Sequence, residues 1–220
     1  MRISFVISLC VALLPSRVKI AYYRKQGAEI GKSCYIGLSI INAKKIRIGD
    51  NVQVASFNLI HRLDEFVMQS GSRMNGFNWI TGAGTGSFYL GRNSAITRLH
   101  FFEASASIYI DNNTIIAGRN SHFFTHGISS TNLDDMRPIR IGPWCYIGSS
   151  SRFVPGAEVA EGTFVGMGSV VTKKVTETHV LLGGVPAIIK KKLSPEDVYF
   201  NRPYLPHDHH PPDYNGGQSS

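Results

Sequence analysis

His126 stands in the stretch Phe123-Phe124-Thr125-His126-Gly127, with a polar run from Ser129 to Arg137 behind it. An imidazole titrates near neutral pH, so a histidine at a turn ahead of a loop is suited to take a proton from an attacking hydroxyl. His61, His100, His122 and His179 are the other histidines before residue 194. His122 and His126 are four residues apart, an ordinary metal-ligand spacing. Lys190, Lys191 and Lys192 form the one dense cationic run and follow Gly184-Val185-Pro186-Ala187. Such a run suits phosphate groups at one end of a ligand. Cys10, Cys34 and Cys145 are odd in number and far apart. They exclude a disulfide framework and a cysteine metal knuckle, and they fit a reducing compartment.

The formal charge of +8 favours anionic partners, but no aromatic-basic interleaving marks a nucleic-acid groove, so none is expected. Hydrophobic residues make up 43% and charged residues 17%, which excludes a disordered polyelectrolyte. Glycine, at 22 residues, exceeds the usual ~7% and calls for many turns or close backbone packing.

The elements that must position these residues follow from a period of six. From Ile141 the chain reads IGPWCY, IGSSSR, FVPGAE, VAEGTF, VGMGSV, VTKKVT. Every first position is large and apolar (Ile141, Ile147, Phe153, Val159, Val165, Val171), and every fifth is small or β-branched. A second block from Ile30 keeps the frame through Ile36, Asn42, Ile48, Val54 and Ile60, with Asn42 as its polar exception. A looser block starts at Leu90, and another at Ile110 places Ile116 and His122 at first positions, where His122 is expected to pack inward. A short strand and tight turn per hexad, three hexads per coil and coils stacked at ~4.8 Å give an all-β parallel solenoid.

The repeat resembles the hexapeptide-repeat transferase family, whose members fold as a left-handed parallel β-helix and assemble as trimers. The likeness spans residues 27–193. Gly166-Met167-Gly168-Ser169-Val170-Val171-Thr172-Lys173-Lys174-Val175, and then the Gly-Val-Pro-Ala turn, are similar to the acetyltransferase branch. That resemblance implies acetyl-CoA as co-substrate. It places Ser149, Met167, Gly168, Thr172 and Lys173 along the pantetheine arm, Lys190 and Lys191 near the phosphates, and the active sites between subunits of a homotrimer. It makes His126 the general base, since the family's base stands at a coil corner about one coil before an IGDNVWIG-like stretch. That stretch is Ile141–Gly148 here, with Tyr146 where the family commonly has Trp. His100 and Asn120 are placed toward the acceptor. The implied reaction is direct acetyl transfer to a hydroxyl of a sugar or lipid-linked oligosaccharide, in bacterial surface polysaccharide synthesis. The product of His126 catalysis is then an ester, with no metal required.

Two other readings share the fold. A carbonic-anhydrase-like branch holds zinc between subunits through three histidines, for which His100, His122 and His126 are the candidates. A serine or amine acetyltransferase of the same fold would need different loops.

The remaining segments lie outside the repeat. Residues 1–26 carry an apolar run from Ile3 to Leu14, short of the ~20 residues that span a bilayer. Pro15, Arg17 and Lys19 follow it instead of a cleavage site. A short helix packed on the protein or lying on a membrane is expected, in a cytoplasmic protein at the inner face of that membrane. Residues 62–86 lose the frame and read as a loop excursion. Their Gly82-Ala83-Gly84-Thr85-Gly86 is not a phosphate loop, because no strand-then-helix pattern surrounds it. Residues 194–220, rich in Pro, His and Gly, read as a flexible tail.

Overall fold

The computed structural model describes residues 5–128 and 130–202. Its chain winds into a parallel β-solenoid of about eight turns. Each turn carries three flat faces, and the inward residue of each strand sits in register on its counterpart one coil away. On the first face, Ile30 pairs with Ile48, Ile48 with Met68, Met68 with Leu90 and Leu90 with Ile110; Ile141, Val159 and Val175 continue the row. The second face stacks Ile36, Val54, Met74, Ile96, Ile116, Ile147, Val165 and Leu182. The third stacks Ile41, Ile60, Ile80, Phe102, Phe123, Phe153 and Val171. All are buried, so the core is a continuous column with little contribution from outside it. Three of its rings stack in sequence: Phe102 on Phe123 at 4.6 Å, and Phe123 on Phe153 at 4.9 Å.

The small fifth-position residues have a specific task at the corners. Where the second face turns into the third, Ser39, Asn58, Asn78, His100, Ser121 and Ser151 form a buried polar column. All but Ser151 accept a backbone N–H from the next coil: Asn78 donates to Asn58 Oδ1 at 2.9 Å, His100 to Asn78 Oδ1 at 3.0 Å, and Ser151 to Ser121 Oγ at 3.3 Å. A buried N–H without a partner is costly, so a short acceptor is required there. Cys145 fills the equivalent row at the preceding corner, where burial pushes its thiol up to about 12 and leaves it a core residue.

Three expectations are corrected. Residues 62–86 are not an excursion: Leu59–Met68, Arg73–Met74, Trp79–Thr81 and Ser87–Leu90 are all solenoid strands. The frame is lost because these coils exceed 18 residues, and the extra length is absorbed at the third-to-first corner, where Leu63 and Phe66 turn inward. Gly86 at that corner lies so close to the Ala104 and Ala106 carbonyls that a Cβ would collide with both. Second, the hexad frame is off by one residue at two positions of the third face. Ile41, not Asn42, is inward, and Phe123, not His122, so His122 points outward and is only partly buried. Third, the segment after Ser194 begins packed rather than free. The Tyr199 hydroxyl donates to the Cys145 carbonyl at 2.8 Å, its ring contacts Phe164, and the Arg202 guanidinium lies 3.9 Å over the Tyr199 ring. His207, His209 and His210 lie outside the described residues.

Two helices precede the solenoid, α1 (Phe5–Ala12) and α2 (Ser16–Lys25). The Tyr23 hydroxyl donates to the Ile41 carbonyl, and the buried Lys19 Nζ donates to the carbonyls of Ala12 and Gly37. Together these seat α2 on the first coil and fix the end of α1 to it. Among the described residues, no helix is long and apolar enough to cross a membrane.

Candidate active site at the edges of the third face

His126 follows the third-face strand His122–Phe124 and opens a short antiparallel hairpin, in which it pairs with Met136 and Gly127 pairs with Asp135. The chain leaves the solenoid here because Thr125 is clamped to the coil before it. Thr125 is fully buried; its N–H donates to the Glu103 carbonyl at 3.1 Å, and its hydroxyl lies 3.0 Å from the same oxygen. The Thr125 Oγ1 also accepts the N–H of Ala106 at 3.0 Å. With Thr125 held on both sides, the next residue projects from the corner, and the His126 side chain is 47% exposed. Its Nε2 lies 4.0 Å from Asp134 Oδ1 across the hairpin. Asp135 is engaged elsewhere: Arg137 donates to both its oxygens, at 2.6 and 2.7 Å, and this holds its carboxyl below the usual range.

Ser149, Met167 and Gly168 gather at the opposite edge of the same face, the second-to-third corner, in the two coils after that of His126. The Gly168 N–H donates to the Ser149 carbonyl at 2.9 Å, and Ser149 Oγ accepts the N–H of Arg119 at 3.3 Å. Gly118 one coil earlier has φ +68°, and any Cβ there would collide with Ser149 Oγ. Met167 is 78% exposed, so this row forms an open edge with bare backbone between side chains. Asn120 is exposed at the same corner. Thr172 and Lys173 lie at the third-to-first corner, on the side of His126, and both are exposed. Lys190 and Lys191 are on the exposed strand Ile188–Lys192, which pairs antiparallel with Val180–Gly183 at the end of the second face. The candidate residues therefore form two rows on the two edges of one face, and a single chain leaves the width of that face between them.

His100 does not reach an acceptor. It is 2% exposed, its Nδ1 accepts the Ser121 N–H at 3.2 Å, and its Nε2 lies 2.9 Å from Thr97 Oγ1. The accepting Nδ1 requires the neutral ring with its proton on Nε2. Burial, and then the charge of His122, push its pKa down to about 4. Both nitrogens are engaged in holding the corner, which also removes the third histidine that a shared zinc would need.

Sequence reasoning missed Asp134, Thr125 and the Tyr199–Arg202 dock. Thr125 was legible as a small polar residue ahead of a loop; Asp134 carried no signal, because its approach to His126 depends on the hairpin.

No protein-family model and no curated protein sequence matches the chain. Among solved structures, a mutant of AntD, an N-acyltransferase from Bacillus cereus in complex with dTDP and coenzyme A, superposes with a TM-score of 0.54 at 17% identity, over 82% of this chain and 92% of that one. The polySia-specific acetyltransferase NeuO gives 0.49 at 17% identity, over 75% and 82%. A galactoside acetyltransferase in complex with coenzyme A gives 0.43 at 19% identity, over 91% and 86%. What the chain shares with AntD is the fold, a parallel β-solenoid.

Proposed function

We propose that this chain is an acetyl-CoA-dependent O-acetyltransferase that acts on a hydroxyl of a sugar or oligosaccharide. The observation that carries the reading is the placement of His126: a clamped Thr125 presents its imidazole at a coil corner, toward solvent. The Gly-Met-Gly-Ser-Val-Val-Thr-Lys run occupies the following coils, and the exposed Lys190 and Lys191 close the solenoid beyond them. Coenzyme A fits these residues. The open edge around Gly168 offers backbone carbonyls to pantetheine amides, and the lysines offer cations to the phosphates.

In this reading the acceptor hydroxyl donates its proton to a ring nitrogen of His126 as its oxygen attacks the thioester carbonyl. Backbone N–H groups hold the developing oxyanion. Collapse breaks the C–S bond, and the imidazolium returns the proton to the thiolate, giving an acetyl ester and free coenzyme A. Asp134 stands across the hairpin, with its Oδ1 4.0 Å from the ring Nε2. Direct transfer is supported by the state of Cys145, the cysteine nearest the motif, which is buried as a thiol.

The assembly is a homotrimer. The width that separates the two rows of site residues is spanned when the edge of one copy meets the opposite edge of another. The third face supports such packing, since Trp79 is 51% and Phe124 38% exposed and Phe101 contacts both rings, at 5.2 and 5.5 Å. The acceptor belongs to surface polysaccharide synthesis at the cytoplasmic side of a membrane.

The test is consumption of acetyl-CoA with a panel of sugars and oligosaccharides, read as free thiol and as acetyl ester on the acceptor. Ester formation with at least one saccharide is expected. Acetylation of amino sugars at nitrogen alone would favour the amine-acceptor reading instead.

A further inference from the structure

The helix α1 is inverted relative to a soluble helix. Its one polar residue, Ser8, is fully buried and accepts a hydrogen bond from Asn42 Nδ2 at 3.1 Å. Its outward residues are apolar: Val6 is 66% exposed, Ile7 46% and Leu9 42%. The surface continues through Leu13, 76% exposed, to Val18 on α2, 51% exposed. A helix apolar on its solvent side costs free energy in water, because each such side chain forgoes part of its burial.

The charge on the two helices has one sign. Arg17 and Lys25 are exposed on α2, Arg24 is anchored to the Ile30 carbonyl at 2.8 Å with its charge intact, and no acidic residue occurs before Glu29. The orientation is fixed as well: Lys19, buried, donates to the Ala12 carbonyl at 2.9 Å and to that of Gly37, and so pins the end of α1 to the first coil. A second copy of the same end would bring like charges together. A surface with anionic headgroups over an apolar layer meets both properties at once.

We infer that the N-terminal end of the solenoid is a membrane-surface docking site, with Val6, Leu9, Leu13 and Val18 entering the acyl boundary of an anionic leaflet and Arg17 and Lys25 meeting its headgroups. The inference rests on this end of the molecule alone and is independent of the acyl-transfer reading.

The experiment is flotation of the full chain with vesicles of phosphatidylcholine mixed with phosphatidylglycerol, and with vesicles of phosphatidylcholine alone. Wild type is expected to float with the mixed vesicles and to be released by high salt. The double variant Val6→Asp, Leu13→Asp, at exposed positions that leave the core intact, is expected to lose at least tenfold in partitioning. Arg17→Glu with Lys25→Glu is expected to lose the preference for anionic vesicles, by about fivefold for each basic residue removed. Flotation absent in wild type, or unchanged in both variants, overturns the inference. So does a fall in oligomeric mass of the Val6→Asp, Leu13→Asp variant without vesicles, which would assign the patch to a second copy.

Discussion

The backbone N–H of Ser121 donates to Nδ1 of His100 at 3.2 Å, so one coil is tied to the next through an imidazole that must be neutral. In the folded state His100 stays neutral down to about pH 4, whereas in the unfolded chain it takes a proton near its ordinary value of 6.5. Between these values the unfolded state binds more protons, and stability falls as pH drops through the window. The full loss is about 3 kcal/mol. His100→Asn places in this corner the residue that already serves at Asn58 and Asn78. Urea unfolding of wild type is expected to weaken steadily from pH 6.5 to pH 4, and that of His100→Asn to change much less. A wild-type midpoint flat across the window contradicts the assignment.

The one-residue slip on the third face gives a paired prediction. Phe123→Ala opens a void between Phe102 and Phe153 and is expected to cost about 3–5 kcal/mol in denaturant unfolding. His122→Ala, on the outward side of the same strand, is expected to cost under about 1 kcal/mol. The reverse ranking would restore the frame in which His122 is the inward residue.

The uninterrupted hexads show why part of this was legible in the sequence. From Ile141 to Val171 each coil holds three identical units, so the period names the inward residue directly, and the motif residues Ser149, Met167 and Thr172 fall on corners. Coils between Ile48 and Ile110 are longer than three hexads, and a fixed period cannot follow a bend that buries Leu63 and Phe66. That is why solenoid strands between 62 and 86 read as a loop. His100 was misread for a related reason. Its fifth position identifies a corner, but whether a corner residue faces inward or toward solvent depends on the N–H it must satisfy. Tyr199 and Arg202 reach their partners at Cys145 and Trp144 across more than fifty residues, and composition does not encode such contacts.

Lys190→Glu combined with Lys191→Glu is expected to raise KM for acetyl-CoA by roughly tenfold or more, since a charge-assisted phosphate contact contributes about 1.5–3 kcal/mol. The kcat at saturating cofactor should change little, because these residues are not at the reacting atoms. Steady-state kinetics with the cofactor varied reads both. An unchanged KM would remove the lysines from the cofactor path.

Trp79→Glu places a carboxylate in the exposed aromatic face and is expected to convert the proposed trimer to smaller species, measured by light scattering after size exclusion. In the proposed trimer the two rows of site residues meet across copies, so activity is expected to fall with the mass. Full activity in a monomeric variant would contradict a shared site.

The most direct measurement is the rate of acetyl ester formation on a saccharide acceptor by wild type, His126→Ala and His126→Gln, with thermal unfolding run on all three. The side chain is half exposed and its loss should leave the fold intact, so unchanged melting is expected. Removal of the base is expected to lower kcat by about 10²–10⁴-fold in both variants. Turnover within a few-fold of wild type in a folded His126→Ala protein would contradict the role of His126 as base.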